Sequence, residues 1–159
     1  MSKIGILFVC TANICRSPTA EGVFRAHAAR AGILSRLDID SAGTHDFYPG
    51  GPPDWLATQV ALKRGYDIAS LRARHFGVAD FSRFDRIYAM DSMNLRVLED
   101  LRPQEYRGDL GLFLDVAPVL GVREVPDPYA GGPEGFEHVL DLVEHASAAL
   151  VKKLIGEFR

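Results

Sequence analysis

The sequence predicts an α/β fold, a three-layer sandwich in which a central four-stranded parallel sheet is flanked by helices. Two observations lead to this prediction. Short apolar segments rich in β-branched and aromatic residues alternate with longer segments of helical periodicity, and turn residues separate them throughout. In addition, no linker, repeat or low-complexity tract divides the 159 residues. We therefore expect residues 1–159 to form a single domain.

The elements at the start of the chain are predicted from their end signals. Residues 4–9 are an apolar run typical of a buried strand. A helix is expected at residues 18–31, with Pro18 at its first position and Gly32 directly after its end. Residues 37–41 alternate between apolar and polar side chains, which predicts a second strand.

Seven further segments are predicted in the same way from periodicity, capping residues and clusters of glycine and proline. They are a loop at 43–53, a helix at 54–64, a strand at 84–90, a helix from about 92 to 101, a strand at 110–114, a loop at 125–132 and a helix at 133–156.

Composition limits the class of protein. The formal net charge of −3 argues against a general nucleic-acid binder, which usually presents a basic face. We see no secretory signal and no apolar run of the roughly 18 residues that a membrane span needs. The two cysteines, five positions apart, do not make an extracellular disulfide framework. A cytoplasmic protein that binds neither nucleic acid nor membrane is therefore expected.

The segment after the first strand carries the chemistry. Cys10 ends the strand, Arg16 follows six positions later, and Ser17-Pro18 opens the next helix. A loop that turns from a strand into a helix start directs backbone N–H groups at one point and forms an anion site, so we predict a phosphate-binding loop here. The helix start and Arg16 stabilise a thiolate, the nucleophilic form of cysteine. The alternative is a small buried cysteine followed by a surface arginine.

The string from Val9 to Pro18, VCTANICRSP, resembles the signature of the low-molecular-weight protein tyrosine phosphatases. Four other segments resemble this family, and they occur in family order over nearly the whole chain. They are Asp40-Ser41-Ala42-Gly43-Thr44, Pro52-Pro53-Asp54, Met90-Asp91-Ser92-Met93-Asn94-Leu95 and Asp127-Pro128-Tyr129.

The resemblance implies metal-independent hydrolysis of phosphotyrosine and other aryl phosphate monoesters, with no cofactor. Cys10 would attack phosphorus and form a phosphocysteine, while Arg16 and the loop N–H groups bind the phosphate. Asp127 would protonate the leaving phenolate and then act as base on water. The Ser17 hydroxyl would donate a hydrogen bond to the Cys10 sulfur, and it could also cap the helix. The partners expected are tyrosine-phosphorylated proteins as substrates and inorganic phosphate or other oxyanions as inhibitors.

The resemblance also assigns the rest of the site. Asn13 would adopt a left-handed backbone conformation, and Cys15 would be the redox partner that protects Cys10 through a reversible disulfide. Phe47 and Tyr129 would wall a crevice around the substrate ring. Asp91 would be a structural partner near the site, or only a helix cap. The predicted phosphate-loop and substrate-binding residues are Thr11, Ala12, Asn13, Ile14, Cys15, Ser17, Phe47 and Tyr129.

The sequence departs from the family pattern at three positions. Ala12 stands where many members have glycine, and its Cβ restricts the backbone. Leu71 stands where members often have a histidine that supports the phosphate loop. Ala130 replaces a second tyrosine after Tyr129, which makes the rim less aromatic.

Three alternatives to a tyrosine phosphatase remain. An arsenate reductase of the same fold needs further cysteines, and this chain has two. Phosphoarginine phosphatases tend to have threonine where this chain has Ile14, and an apolar side chain favours a phenyl ring. A phosphate-binding module without turnover would be expected to lack Cys10 or Asp127.

Overall fold

The computed structural model describes residues 2–158. The elements, in chain order, are β1 (Ile4–Cys10), α1 (Arg16–Arg30), β2 (Leu37–Gly43), α2 (Trp55–Lys63), α3 (Asp80–Arg83), β3 (Arg86–Ala89), α4 (Ser92–Leu101), β4 (Asp109–Leu112) and α5 (Pro133–Glu157). Short 3₁₀ turns occur at Leu34–Arg36, Phe113–Val116 and Pro118–Leu120. None of the helices in this part of the chain combines the length and apolarity needed to cross a bilayer.

All four strands are parallel, in the order β2-β1-β3-β4. The chain moves from β1 outward to β2 and then returns to place β3 on the other side of β1. In an open parallel sheet, ligands bind beyond the carboxyl ends of the strands at such a reversal. Cys10, the last residue of β1, lies at this point and pairs in register with Gly43, the last residue of β2.

The sheet is covered on both faces, which confirms the predicted three layers. Residues Ile6 and Phe8 of β1 pack with α1, α2 and α5, whereas Leu7 and Val9 pack with α3 and α4. Phe8 is fully buried, and its ring lies 4.9 Å from the ring of Phe113 in an edge-to-face contact. Because β1 is buried on both faces, its sequence is continuously apolar rather than alternating.

The structure corrects the predicted start of the first helix. Helix α1 begins at Arg16, so Pro18 is its third residue rather than its first. Ser17 lies inside the helix and cannot be its cap; the cap position is Cys15, which makes no side-chain capping bond. Ser17 is not available as a cap because its hydroxyl contacts the Cys10 sulfur and the Asn13 side chain instead.

Other boundaries differ by a few residues. Strand β2 continues to Gly43, two residues beyond the prediction. Strand β3 is shorter than predicted, at Arg86–Ala89. Strand β4 ends at Leu112 because Phe113 begins a 3₁₀ turn. Helix α3 was not predicted, since four residues are too few to show helical periodicity.

Candidate active site

A cavity of about 280 Å³ opens at the carboxyl ends of the strands. Its lining residues come from the predicted phosphate loop (residues 10–16, which join β1 to α1), the 44–54 loop and the 125–132 loop. They are Cys10, Thr11, Ala12, Ile14, Cys15, Arg16, Phe47, Tyr48, Asp127 and Tyr129. Nine of these were predicted as site residues; Asn13 and Ser17, also predicted, support the loop from behind. Within residues 2–158, no group of three or more His, Cys, Asp or Glu side chains is placed to hold a metal ion.

Cys10 lies at the base of the cavity and is 2 % exposed. Its Sγ is 3.0 Å from the Oγ of Ser17. The Asn13 amide Nδ2 donates to the same Oγ at 2.7 Å. Because the Ser17 oxygen accepts from Asn13, the Ser17 hydroxyl can donate its proton to the Cys10 sulfur; its other acceptor, the Ala42 carbonyl oxygen, is farther away at 3.4 Å. The geometry therefore provides a donor to a thiolate, as the resemblance implied for Ser17.

Asn13 fixes the shape of the loop. Its backbone has φ of +59°, the left-handed conformation predicted for it. Its Oδ1 accepts a hydrogen bond from the Arg74 backbone N–H at 3.0 Å, which leaves Nδ2 as the donor to both Ser17 and Ser41. A Cβ on Gly43 would lie 2.7 Å from the Thr11 carbonyl oxygen, so the β2 end approaches the loop backbone closely at this glycine.

A buried carboxyl continues this network. The Ser41 Oγ donates to Glu21 Oε1 at 2.7 Å, and Glu21 is 3 % exposed. Burial raises the pKa of Glu21, against the opposing effects of the Ser41 hydrogen bond and the Arg25 charge. Leu71 packs against the apolar core. The loop is thus supported without a histidine at that position.

Arg16 is held by groups from three segments. Its Nη1 donates to Asp91 Oδ2 at 2.6 Å and to the Val125 carbonyl oxygen at 3.0 Å. Its Nη2 lies 3.3 Å from Thr11 Oγ1 and 3.9 Å from Asp127 Oδ2. Burial disfavours the guanidinium charge, but the Cys10 and Asp91 charges outweigh this and raise the pKa of Arg16. Arg16 is therefore a fixed cation aimed at the cavity.

Asp91 has both of the roles that the sequence left open. Its Oδ2 orients Arg16, and its Oδ1 accepts from the Asn94 backbone N–H at 2.8 Å, which caps α4. The Asn94 side chain in turn donates to Thr11 Oγ1 at 3.1 Å. The start of α4 is thus tied to the phosphate loop at two points.

Asp127 lies at the mouth of the cavity, with its side chain 55 % exposed. Its Oδ1 accepts from the Tyr129 backbone N–H at 3.0 Å, and its Oδ2 faces Arg16. A carboxyl group above the anion site can exchange protons with a leaving group or a water.

The upper walls of the cavity are aromatic. Phe47 is 61 % exposed, and the His45 ring stacks on it with centroids 5.1 Å apart. Tyr48 is a lining residue that sequence reasoning missed, although a second aromatic residue beside Phe47 in a glycine- and proline-rich loop was a usable signal. Its hydroxyl is 3.2 Å from that of Tyr129. Trp55 is 71 % exposed at the start of α2 and is not a lining residue.

Cys15 shares the cavity with Cys10, and both are free thiols. Burial raises the pKa of the Cys15 thiol, and the charges of Asp54, Cys10 and Asp127 raise it further. This shift disfavours the thiolate, the nucleophilic form of a cysteine, at Cys15. Its role as a redox partner stays a prediction.

The two remaining departures have different consequences for the backbone. Ala12 lines the cavity without a positive φ, so its Cβ is accommodated in an ordinary conformation. Ala130 has φ of +67°, a left-handed conformation that is unfavourable for alanine.

Comparisons with known proteins show the family to which the sequence is similar. The profile of the family described as "Low molecular weight phosphotyrosine protein phosphatase" matches residues 5–158. A Schizosaccharomyces pombe protein of that description is 45 % identical over 135 residues, which is 84 % of this chain and 86 % of the yeast protein.

Solved structures are similar over the same length. A protein tyrosine phosphatase from Entamoeba histolytica, crystallised with Hepes in its active site, has 36 % identity and a TM-score of 0.92, covering 99 % of this chain and 100 % of that one. Wzb from Vibrio vulnificus, in complex with benzylphosphonate, has 29 % identity and a TM-score of 0.81, covering 94 % of this chain and 98 % of that one.

Proposed function

Because this chain belongs to the low molecular weight phosphotyrosine protein phosphatase family, we propose that Cys10, Arg16 and Asp127 carry out its hydrolysis of phosphotyrosine. Membership makes the chain a cysteine-based protein-tyrosine-phosphatase. One observation carries the assignment of roles: the three side chains converge on one cavity, with the thiol at its base and the carboxyl at its mouth.

In the first step, the Cys10 thiolate attacks phosphorus and an S–P bond forms. The P–O bond to the aryl group breaks, and its electron pair goes to the phenolic oxygen, which takes a proton from Asp127. The products are a phosphocysteine and the free phenol. The Ser17 hydroxyl, 3.0 Å from Sγ, supports this step because it can donate to the thiolate before attack.

In the second step, water attacks the phosphocysteine. Asp127, now a carboxylate, takes the proton from water as the new P–O bond forms. The S–P bond breaks and its electron pair returns to sulfur. This regenerates the Cys10 thiolate and releases inorganic phosphate, and the proton on Asp127 restores the acid for the next turnover.

Arg16 and the loop N–H groups stabilise both transition states. The planar guanidinium can hold two phosphate oxygens at once, and its attraction grows as negative charge spreads over the equatorial oxygens. Asp91 supports this role because its bond to Nη1 orients the guanidinium.

The lining of the cavity favours an aryl phosphate. Ile14, Phe47 and Tyr129 offer apolar surface to a phenyl ring above the phosphate position. A guanidinium leaving group, as in phosphoarginine, would lose hydration against these side chains without gaining a polar partner from Ile14. Tyrosine-phosphorylated proteins are therefore the substrates we propose, and phosphate and other oxyanions are competitive inhibitors.

We also propose that the protein acts in the cytoplasm. The reaction needs Cys10 as a reduced thiol, and the cytoplasm keeps thiols reduced.

The proposal is tested by aryl phosphate turnover with a chelator present. We expect Cys10→Ser to abolish activity, because serine is a far weaker nucleophile in this site. We expect Asp127→Ala to lower kcat/KM for phenyl phosphate by about 10²–10⁴-fold, the usual contribution of a general acid. Acid quenching followed by mass spectrometry should find phosphate on Cys10 during turnover of the wild-type protein.

Asp67→Ala is the matched control. Asp67 is exposed and, like Asp127, accepts a hydrogen bond from the backbone N–H two residues later, at 3.0 Å. It is not a lining residue of the cavity, so its variant should keep wild-type activity. Turnover retained by Cys10→Ser, or abolished in the wild type by the chelator, would contradict the mechanism.

A further inference from the structure

The 125–132 loop, which carries Asp127, makes few hydrogen bonds to the rest of the protein, although Pro128 is buried. Val125 is anchored, since its N–H donates to the Met90 carbonyl and its carbonyl accepts from Arg16. From Pro126 to Gly132, the backbone hydrogen bonds found in the described chain are local, such as Gly131 N–H to the Pro128 carbonyl at 3.0 Å. Asp127 itself faces Arg16 at 3.9 Å, a long contact for an exposed carboxyl.

One hydrogen bond joins this loop to the opposite wall. The Tyr129 and Tyr48 hydroxyls are 3.2 Å apart across the mouth of the cavity. Among the described residues, it is the one hydrogen bond that links residues 126–132 to another loop. On either side of the buried Pro128, Asp127 and Tyr129 are both exposed, so the orientation of Asp127 depends in part on what holds Tyr129.

Tyr48 stands on the better anchored of the two loops. The Gly51 N–H donates to the Tyr48 carbonyl at 2.9 Å and closes a tight turn. Gly50 and Gly51 exchange backbone hydrogen bonds with Ala73, at 2.9 and 2.8 Å. The loop then joins the phosphate loop where the Asp54 N–H donates to the Ile14 carbonyl at 2.7 Å. Tyr48 therefore restricts the position of Tyr129, because the loop that carries Tyr48 is held by more backbone hydrogen bonds.

A short path leads from the tyrosine pair to the carboxyl group. The Tyr129 backbone N–H donates to Asp127 Oδ1 at 3.0 Å. That bond leaves Oδ2 as the oxygen on the Arg16 side, where the leaving group must be protonated. Displacement of Tyr129 would therefore displace the carboxyl that it orients.

We propose that Tyr48 is a positioning residue for the catalytic acid: its hydroxyl holds Tyr129, and Tyr129 holds Asp127 over the leaving group. The inference rests on the proposed role of Asp127. In this role the Tyr48 hydroxyl positions Asp127, whereas the Tyr48 ring only lines the cavity.

The variant Tyr48→Phe tests this, because it removes the hydroxyl and keeps the ring. A misplaced acid matters most when the leaving oxygen is a poor one, so kcat/KM should be measured over a series from nitrophenyl phosphate to phenyl phosphate. For phenyl phosphate we expect a loss of about threefold to tenfold, the effect of one neutral hydrogen bond. For nitrophenyl phosphate we expect less than about a twofold change, so the dependence on leaving-group basicity steepens.

Two further variants use the pairing itself. Tyr129→Phe removes the same hydrogen bond from the other side and should give the same steeper dependence. The double variant should be no worse than either single variant, since both lose one shared interaction. Losses that multiply would mean that each hydroxyl contacts substrate separately, and this would overturn the proposal, as would an equal loss with every leaving group.

The controls separate this inference from the reaction mechanism. Tyr66→Phe also deletes a tyrosine hydroxyl, but one bound to Glu144 on α5 at 2.6 Å, and should leave the leaving-group dependence unchanged. Asp127→Ala should steepen it most. If Asp127→Ala steepens the dependence and Tyr48→Phe does not, only the positioning role is wrong. If neither does, the assignment of the acid is wrong.

Discussion

At the scale of single residues, hydrogen-bond direction controls the nucleophile. The Asn13 carbonyl oxygen is engaged by the Arg74 N–H, so its amide group must donate toward Ser17. Ser17 can then donate its proton to the Cys10 sulfur at 3.0 Å, which is nearer than its other acceptor, the Ala42 carbonyl oxygen at 3.4 Å. Asn13 does not line the cavity. Its hydrogen bond to Ser17 nevertheless orients the Ser17 hydroxyl toward the Cys10 sulfur, where it can stabilise a thiolate.

We predict that Asn13→Asp slows alkylation of Cys10. Aspartate keeps the size and tolerates the left-handed backbone, but its carboxylate accepts hydrogen bonds and cannot donate them. Ser17 would then donate to residue 13 and leave the thiolate without that donor. Loss of a hydrogen bond to a charged group costs about 1.5–3 kcal/mol, which lowers the thiolate population by up to roughly tenfold to hundredfold and slows alkylation by at most that factor.

The measurement is the rate of Cys10 modification by iodoacetamide, located by mass spectrometry. Asn13→Gly is the companion variant, because it keeps the backbone conformation and removes the side-chain bonds without adding a negative charge. It should fall between the wild type and Asn13→Asp. A wild-type alkylation rate in Asn13→Asp would show that the direction of these hydrogen bonds does not matter.

At the scale of elements, the 125–132 loop holds a local strain. Ala130 has φ of +67°, in a region that costs an L-residue with a Cβ roughly 1–2 kcal/mol. The residue is exposed, so its methyl group contributes little burial in return. This turn joins Tyr129 to the start of α5, and its conformation affects how the loop reaches the opposite wall.

We predict that Ala130→Gly stabilises the protein. Relief of the left-handed strain exceeds the extra chain entropy of glycine, so the free energy of unfolding should rise by roughly 0.5–1 kcal/mol. Urea unfolding measures it. Ala148→Gly, at an exposed position inside α5, is the control. Its free energy of unfolding should fall by about 1 kcal/mol, because glycine is unfavourable inside a helix. A loss of stability in Ala130→Gly would contradict the strain.

At the scale of the whole molecule, one cluster joins α1 and α5 to the segment that follows α2, on the face of the sheet away from α4. His27 of α1 lies 3.3 Å from the Tyr66 hydroxyl, and that hydroxyl donates to Glu144 of α5 at 2.6 Å. Burial lowers the pKa of His27 and the Arg30 charge lowers it further, while Glu144 acts in the opposite direction. The folded protein therefore binds a proton at His27 less readily than the unfolded chain does.

This predicts a loss of stability in acid. A depressed histidine pKa contributes stability that is present above the unfolded value of about 6.5 and is lost as the pH falls through the folded value. The free energy of unfolding should therefore decline from pH 7.5 to pH 5.5, and less so in His27→Gln. The difference between the two urea-unfolding series isolates the histidine. A difference that is constant with pH would contradict the shift.

The sequence by itself determined the layers, the order of the elements and the reactive end of the site. Cys10 and Arg16 could be predicted from the sequence because the loop that joins them is short and the strand and helix beside it have clear local patterns. Asp127 was reached through the resemblance of its segment to a family and not through any local signal.

Only the tertiary structure decided the contacts between distant segments. Arg16 meets Asp91 across 75 residues of sequence, and Tyr48 meets Tyr129 across 81. The same holds for the carboxyl of Glu21 behind the phosphate loop, bound by Ser41 of another element. The physical reason is that periodicity and capping describe how a segment folds against its own neighbours. Which loops share an edge of the sheet is set by strand order and packing, and these depend on the whole chain at once.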